Sequence, residues 1–135
     1  MRVVRQKITI INIRRPPSKN INEELQWLGN SLGLFNLRDK DKSCFRIFVE
    51  LLKAAKKKKK MTSDELAFKL NLSRGTVIHH INKLMESGIV INQDNKYTLR
   101  VDNLSSLVHE VEKDIKRSFD DLKEIAENID MYIGL

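Results

Sequence analysis

The sequence predicts a mainly helical α+β chain, with several short helices, one small β-hairpin and a long helix at the C-terminus. Three observations predict it. Apolar residues recur every three or four positions through much of the chain. Two short β-branched runs, "IVI" at 89–91 and "YTL" at 97–99, flank the turn-forming "NQDNK". From Asp102 onward neither proline nor glycine interrupts the pattern until Gly134.

In chain order, residues 3–13, "VVRQKITIINI", are rich in β-branched residues and partly alternate, which predicts one strand in need of a partner. "RRPPSKN" at 14–20 then breaks the chain, because Pro16 and Pro17 donate no backbone hydrogen bond and restrict what precedes them. Asn22 caps a short helix, with Glu23 and Glu24 where the helix dipole favours acids and Leu25, Leu28 and Leu32 as the buried stripe. A second helix runs from about Lys42 to Ala55, carried by Phe45, Phe48, Val49 and Leu52. It leads into five lysines, Lys56 to Lys60. A cation at a helix C-terminus contributes roughly 0.3–1 kcal/mol, so part of this run is a cap. Five adjacent lysines exceed what capping requires, and contact with phosphates is the other reading.

"TSDE" at 62–65 has the form of a capping box, so a helix starts there with Leu66, Ala67 and Leu70 facing inward. "NLS" at 71–73 turns the chain, Leu72 tucks under, and Ser73 caps the next helix. Two short helices joined by a tight turn make a helix-turn-helix. Gly88 stops the second of them, and Asp94 and Asn95 tolerate the left-handed backbone of the hairpin that follows.

At 135 residues the chain suits one ordinary domain, or a small domain with an extended accessory element. Lys and Arg number 25 against 18 Asp and Glu, a net charge of +7. The excess is unevenly placed: residues 1–40 carry eight basic and three acidic side chains, 41–100 thirteen and six, and 101–135 four and nine. A basic body that meets a polyanion, with an acidic element for another task, fits this asymmetry; a lysine-rich surface built for heat is the alternative. Cys44 is the only cysteine, so no internal disulfide can form and a reduced, cytoplasmic setting is expected. No apolar run approaches a membrane span, and the basic N-terminus lacks a signal-peptide cleavage site.

"MTSDELAFKLNLSRGTVIHHINKLMESGIV" resembles the winged helix-turn-helix transcription regulators, with "ELA..L" in a capped helix, "LS" ending the turn, "TV..H...L" in the second helix and "SGIV" entering the wing. The "VIHHINKL" part resembles the ArsR-like branch, and the whole chain is similar in plan to its small archaeal members. The resemblance covers roughly residues 43–100. It does not cover residues 1–40 and implies a winged helix-turn-helix DNA-binding domain at 41–100; the rest of the chain reads as an N-terminal strand and short-helix extension at 1–40 and a C-terminal dimerisation helix at 101–135. ArsR-like metal sensors carry cysteine or histidine clusters, whereas this chain offers one Cys and only His79, His80 and His109. No metal and no cofactor is expected.

On the second motif helix, Val77, Ile81 and Leu84 share one side and must face the core. Gly75, His79, Asn82 and Glu86, flanked by Lys83, take the other. In a helix-turn-helix the recognition helix, 73–87, enters the major groove by its N-terminal end. Arg74 can then pair with guanine or a phosphate, and Asn82 or His79 can reach base edges. Ser73 and Thr76 suit phosphates, and Lys96 in the wing, 89–100, suits backbone or minor groove. Such a polar face also suits a plain core helix. His80, at the border of the apolar face, is expected to be packed and hydrogen-bonded. Gly75 costs on the order of 1 kcal/mol relative to Ala, for which close packing of a neighbour or close approach of the DNA backbone are the two explanations. Phe68 and Ile78 fall outside the core pattern, and either pack beneath the N-terminal segment or meet a second subunit.

In the tail, Leu104, Val108, Val111, Ile115, Ser118, Leu122, Ile125, Ile129 and Tyr132 alternate in steps of four and three, the seam of a coiled coil. A helix of about 30 residues spans roughly 45 Å, longer than so small a body covers. Self-association into a homodimer through Leu104, Val108, Val111, Ile115, Leu122, Ile125 and Ile129 is expected, the alternative being a helix folded back along its own body. No nucleophile–base pair, phosphate loop or metal cluster is visible, so no enzymatic activity is expected. The function expected is sequence-specific binding of double-stranded DNA by a homodimeric transcription regulator. The alternatives are a weakly specific architectural chromatin protein, or a winged-helix adaptor that binds protein and not DNA. An effector, if sensed, belongs with residues 1–40 or the groove between tail and body.

Overall fold

The computed structural model describes residues 5–17, 19–35 and 39–135. Its elements are α1 (Ile21–Ser31), α2 (Ser43–Lys56), α3 (Ser63–Leu70), α4 (Arg74–Glu86), β1 (Val90–Gln93), β2 (Lys96–Leu99) and α5 (Leu104–Ile133). β1 and β2 pair antiparallel, with Gln93 opposite Lys96. The fold is a winged helix-turn-helix followed by one long helix, and no helix among the described residues is long and apolar enough to cross a membrane.

Local chemistry sets the boundaries. The Thr62 hydroxyl accepts from the Glu65 N–H at 3.1 Å while the Glu65 carboxylate accepts from the Thr62 N–H at 3.2 Å, a complete capping box that starts α3. Arg46 reaches from α2 to the other end of α3, donating to the Leu70 carbonyl at 2.6 Å, where the helix dipole favours a cation. Gly88, at φ 83°, supplies the left-handed residue that ends α4 and turns the chain into the wing. Asp94 and Asn95, at φ 56° and 63°, make the left-handed pair that a two-residue hairpin demands.

The core lies where α2, α3, α4 and the wing meet. Ile47, Phe48 and Leu51 of α2, Leu66 of α3, Val77, Ile81 and Leu84 of α4 and Val90 of β1 are fully buried there. Leu107 of α5 completes it. Burying side chains of this size contributes about 1.5–3 kcal/mol each, which is what fixes α4 against its supports. α1 docks at one end: Phe35 stacks on Phe45 at 4.8 Å, and Gly29 is required because a Cβ there would sit 2.6 Å from the Phe45 ring.

Four expectations need correction. Residues 5–13 form no strand; they make single backbone bonds, Lys7 N–H to the Glu86 carbonyl and Ile11 N–H to the Ser31 carbonyl, and a ladder needs a run of such pairs. Val3 and Val4 of that expected strand lie outside the described residues. The cap of α1 is Asn20, to which the Asn22 N–H donates at 2.9 Å. Phe68 is 91% exposed and does not pack beneath the described part of the N-terminal segment, which leaves the second subunit of its two expected settings.

The tail seam is the fourth. α5 seats its first turns on the body through Leu107, Val111 and Asp114, with Leu104 packed against the core. Val111 is thus buried on the body and Leu104 half-buried there, so these two expected seam positions are wholly or partly covered within the chain. Val108 is exposed, Ile115 half-buried, and Leu122, Ile125 and Ile129 are exposed, joined by Phe119, which the expected seam omitted. Phe119 stands four residues after Ile115 and three before Leu122, a spacing visible in the sequence.

Candidate nucleic-acid interface

α4 presents the polar face. Ser73 caps it, its hydroxyl accepting from the Thr76 N–H at 3.1 Å and donating to the Thr76 hydroxyl at 2.8 Å. Val77, Ile81 and Leu84 are buried beneath, so Ser73, Arg74, Gly75, His79, Asn82 and Lys83 all stand toward solvent, with Thr76 half-buried at the edge. Arg74 lies 3.6 Å from Asp64 in an exposed ion pair, which in water contributes about 0–1 kcal/mol and leaves the guanidinium free to exchange partners. Gly75 has nothing within 4 Å of where a Cβ would stand. Packing of a neighbour within the chain is therefore not its reason. Lys96 is exposed beside the hairpin turn.

Beneath this face lies a small buried polar cluster. His80 is buried with Nε2 3.8 Å from Asp39, and its Nδ1 has no hydrogen-bond partner among the described residues. It is packed as expected, and among the described residues it lacks the hydrogen bond also expected of it. Burial holds the imidazole below its ordinary pKa, outweighing the opposite pull of Asp39. Burial pushes Asp39 up, yet the Ser43 and Cys44 amides, the latter at 3.1 Å, together with His80 bring its carboxyl below the usual range. Burial and Asp39 raise the Cys44 thiol to about 11 against the pull of Lys83, so it is a packed thiol and no ready nucleophile. Among the described residues no three His, Cys, Asp or Glu side chains converge as metal ligands would.

At the far end of α4 a second cluster joins four parts of the chain. Asp114 of α5 is buried, accepting from Arg100 at 2.5 Å and 3.2 Å, from Gln6 at 2.9 Å and from Arg117. Gln6 also donates to the Ser87 carbonyl at the end of α4, at 3.2 Å. Arg100 follows directly on β2, so the wing, the N-terminal segment and α5 share one carboxylate, and Gln6 links it to the end of α4. The Arg100 hydrogen bonds, above all, hold Asp114 below the ordinary carboxylate range. Helical spacing sets Asp114 next to the apolar stripe but gives no sign that it is buried, since two of its three partners, Arg100 and Gln6, are 14 and 108 positions away.

Among the described residues the arrangement offers a capped helix end with donors and cations outward, a wing beside it and a long helix tied to both. Residues 49–92 match the family model described as bacterial regulatory protein, arsR family, about a third of the chain. No curated protein and no solved structure matches the chain. The chain is thus similar to the arsR family from the middle of α2 to β1, which includes the whole helix-turn-helix.

Proposed function

We propose that the protein is a homodimeric regulator of transcription that binds duplex DNA sequence-specifically, with helix 73–87 in the major groove and wing 89–100 on the backbone. The observation that carries this reading is the capped, outward polar face of α4, within the segment that matches the arsR family. Arg74 pairs with a guanine edge or a phosphate, and Asn82 and His79 reach bases. Ser73, Thr76, Lys83 and Lys96 hold the backbone and so set the register. Gly75 leaves room for the sugar-phosphate chain. The apolar stripe of α5, half-buried at Ile115 and exposed at Phe119, Leu122, Ile125 and Ile129, pairs two copies. Two-fold symmetry then suits a palindromic site. The acidic tail stays clear of the DNA, and the protein acts in the cytoplasm with no cofactor and no catalysis.

The test is a titration of the protein onto a fluorescent duplex of its own upstream region and onto a scrambled duplex, at two salt concentrations. Preference for the upstream duplex that survives higher salt is expected, and Arg74→Ala with Lys83→Ala should weaken it while leaving the dimer intact. The exposed lysine run favours one second reading, a weakly specific architectural protein, for which binding would be equal on both duplexes and abolished by salt. No binding at low salt would sink both.

A further inference from the structure

We infer that the lysine run Lys56–Lys60 is a second phosphate-binding surface, laid on the backbone of the duplex beside the wing. Such a surface presupposes the DNA-binding reading and extends it to a segment that the recognition helix does not include.

Backbone conformation within the run is the first support. All five helices are followed by a residue with left-handed φ: Gly33, Lys58, Asn71, Gly88 and Gly134 after α1 to α5 in order. Four are glycine or asparagine, the residues that take this conformation at least cost. After α2 the position is Lys58, at φ 54°, held there by the Lys58 N–H on the Ala55 carbonyl at 3.0 Å and the Lys59 N–H on the Ala54 carbonyl at 2.9 Å. Glycine would make the same turn with less strain, so stability alone does not account for a lysine there. Helix capping accounts for Lys56 alone, which with Lys53 lies in the last turn of α2, and not for the four lysines that follow.

Position supports the same conclusion. Directly after the run, Met61 pairs with Tyr97 of β2, N–H to carbonyl in both directions, at 2.9 Å and 2.7 Å. Lys60 is therefore neighbour to a residue bonded to the wing, and Lys96 is the neighbour of that residue's partner. Lys59, 3.5 Å from Glu65, ties the run to the first turn of α3, the helix that crosses the backbone in a helix-turn-helix complex. The run, the start of α3 and the wing are thus held together.

Charge points the same way. All five lysines are exposed, and Lys56, Lys57, Lys58 and Lys60 have no ion pair among the described residues. Adjacent ammonium groups repel one another, and a polyanion relieves the repulsion. A lysine is a compact point charge that suits a phosphate without selecting a base. The run accordingly adds affinity and salt dependence and leaves sequence choice to α4.

The experiment uses the full chain and the two duplexes above, with binding followed from low to high KCl. The variants are Lys57→Gln/Lys58→Gln/Lys60→Gln together and Lys58→Gly alone. In the triple variant the slope of log affinity against log salt should fall by about 0.9 for each phosphate no longer neutralised, with an unchanged ratio between the duplexes. Lys58→Gly should melt about 3 °C higher and yet bind more weakly, a combination that a merely structural lysine does not produce. A wild-type slope in the folded triple variant, or a changed ratio, overturns the phosphate-binding role of the run while the DNA-binding reading stands. Wild-type protein that binds neither duplex overturns that reading, and the role of the run with it.

Discussion

Gly75 and His80, five residues apart on α4, face opposite ways and respond to different tests. Gly75 faces open space, so Gly75→Ala should raise stability by about 0.5–1 kcal/mol, as glycine's unfolded-state freedom is removed in a regular helix. The same methyl group would meet an approaching backbone, so DNA affinity should drop; a urea midpoint and an anisotropy titration together check both signs. His80 is held neutral by burial, so the unfolded chain takes up its proton first as pH falls below about 6.5. Stability from this site is fully present above that pH and declines below it, down to the lower pKa of the folded state. His80→Leu, which removes the titrating group from an apolar site, should flatten the urea midpoint between about pH 5 and 7.5. An equally steep decline in the variant would place the cause elsewhere.

At the scale of elements, the shared carboxylate of Asp114 decides how α5 sits on the winged helix. Its side chain is 3% exposed while Arg100 keeps 26% of its own, so the pair is shielded on the acid's side and partly screened on the other. Asp114→Ala leaves the guanidinium and Gln6 without their acceptor, and stability should drop by about 2–4 kcal/mol. The N-terminal segment should loosen with it, because Gln6 bridges Asp114 to the end of α4. Hydrogen exchange checks this: the backbone bond from Lys7 to the Glu86 carbonyl should lose protection in the variant. As Asp114 titrates below its ordinary value, its contribution is present above about pH 3.9 and disappears as pH falls through the lower folded-state pKa.

At the scale of the whole molecule, α5 continues past the body with Phe119, Leu122, Ile125 and Ile129 uncovered on a helix of net negative charge. Side chains of this size gain about 1.5–3 kcal/mol each when fully buried, enough in sum to join two copies. Ile125→Asp with Ile129→Asp should therefore leave a folded monomer by light scattering, with the melting of the winged helix little changed and affinity for a palindromic duplex reduced. A double variant that remains dimeric would remove the tail from the proposed interface.

Elements whose signals are local were legible in the order of residues alone. The Thr62–Glu65 box, the Ser73 cap, the Gly88 stop and the Asp94–Asn95 turn each act within a few residues, so the helix-turn-helix, its buried face and its wing could be read before any packing was known. Whatever depends on distant partners was settled by the packing. A β-branched run becomes a strand only where a ladder is available, and residues 5–13 found single bonds to α1 and α4 instead. A heptad stripe shows that a face is apolar but not what covers it, and the body took Leu104 and Val111 while leaving Leu122, Ile125 and Ile129 bare. A lone acid in an amphipathic helix reads as surface, and Asp114 became buried only because Gln6 and Arg100 were brought to it from far along the chain.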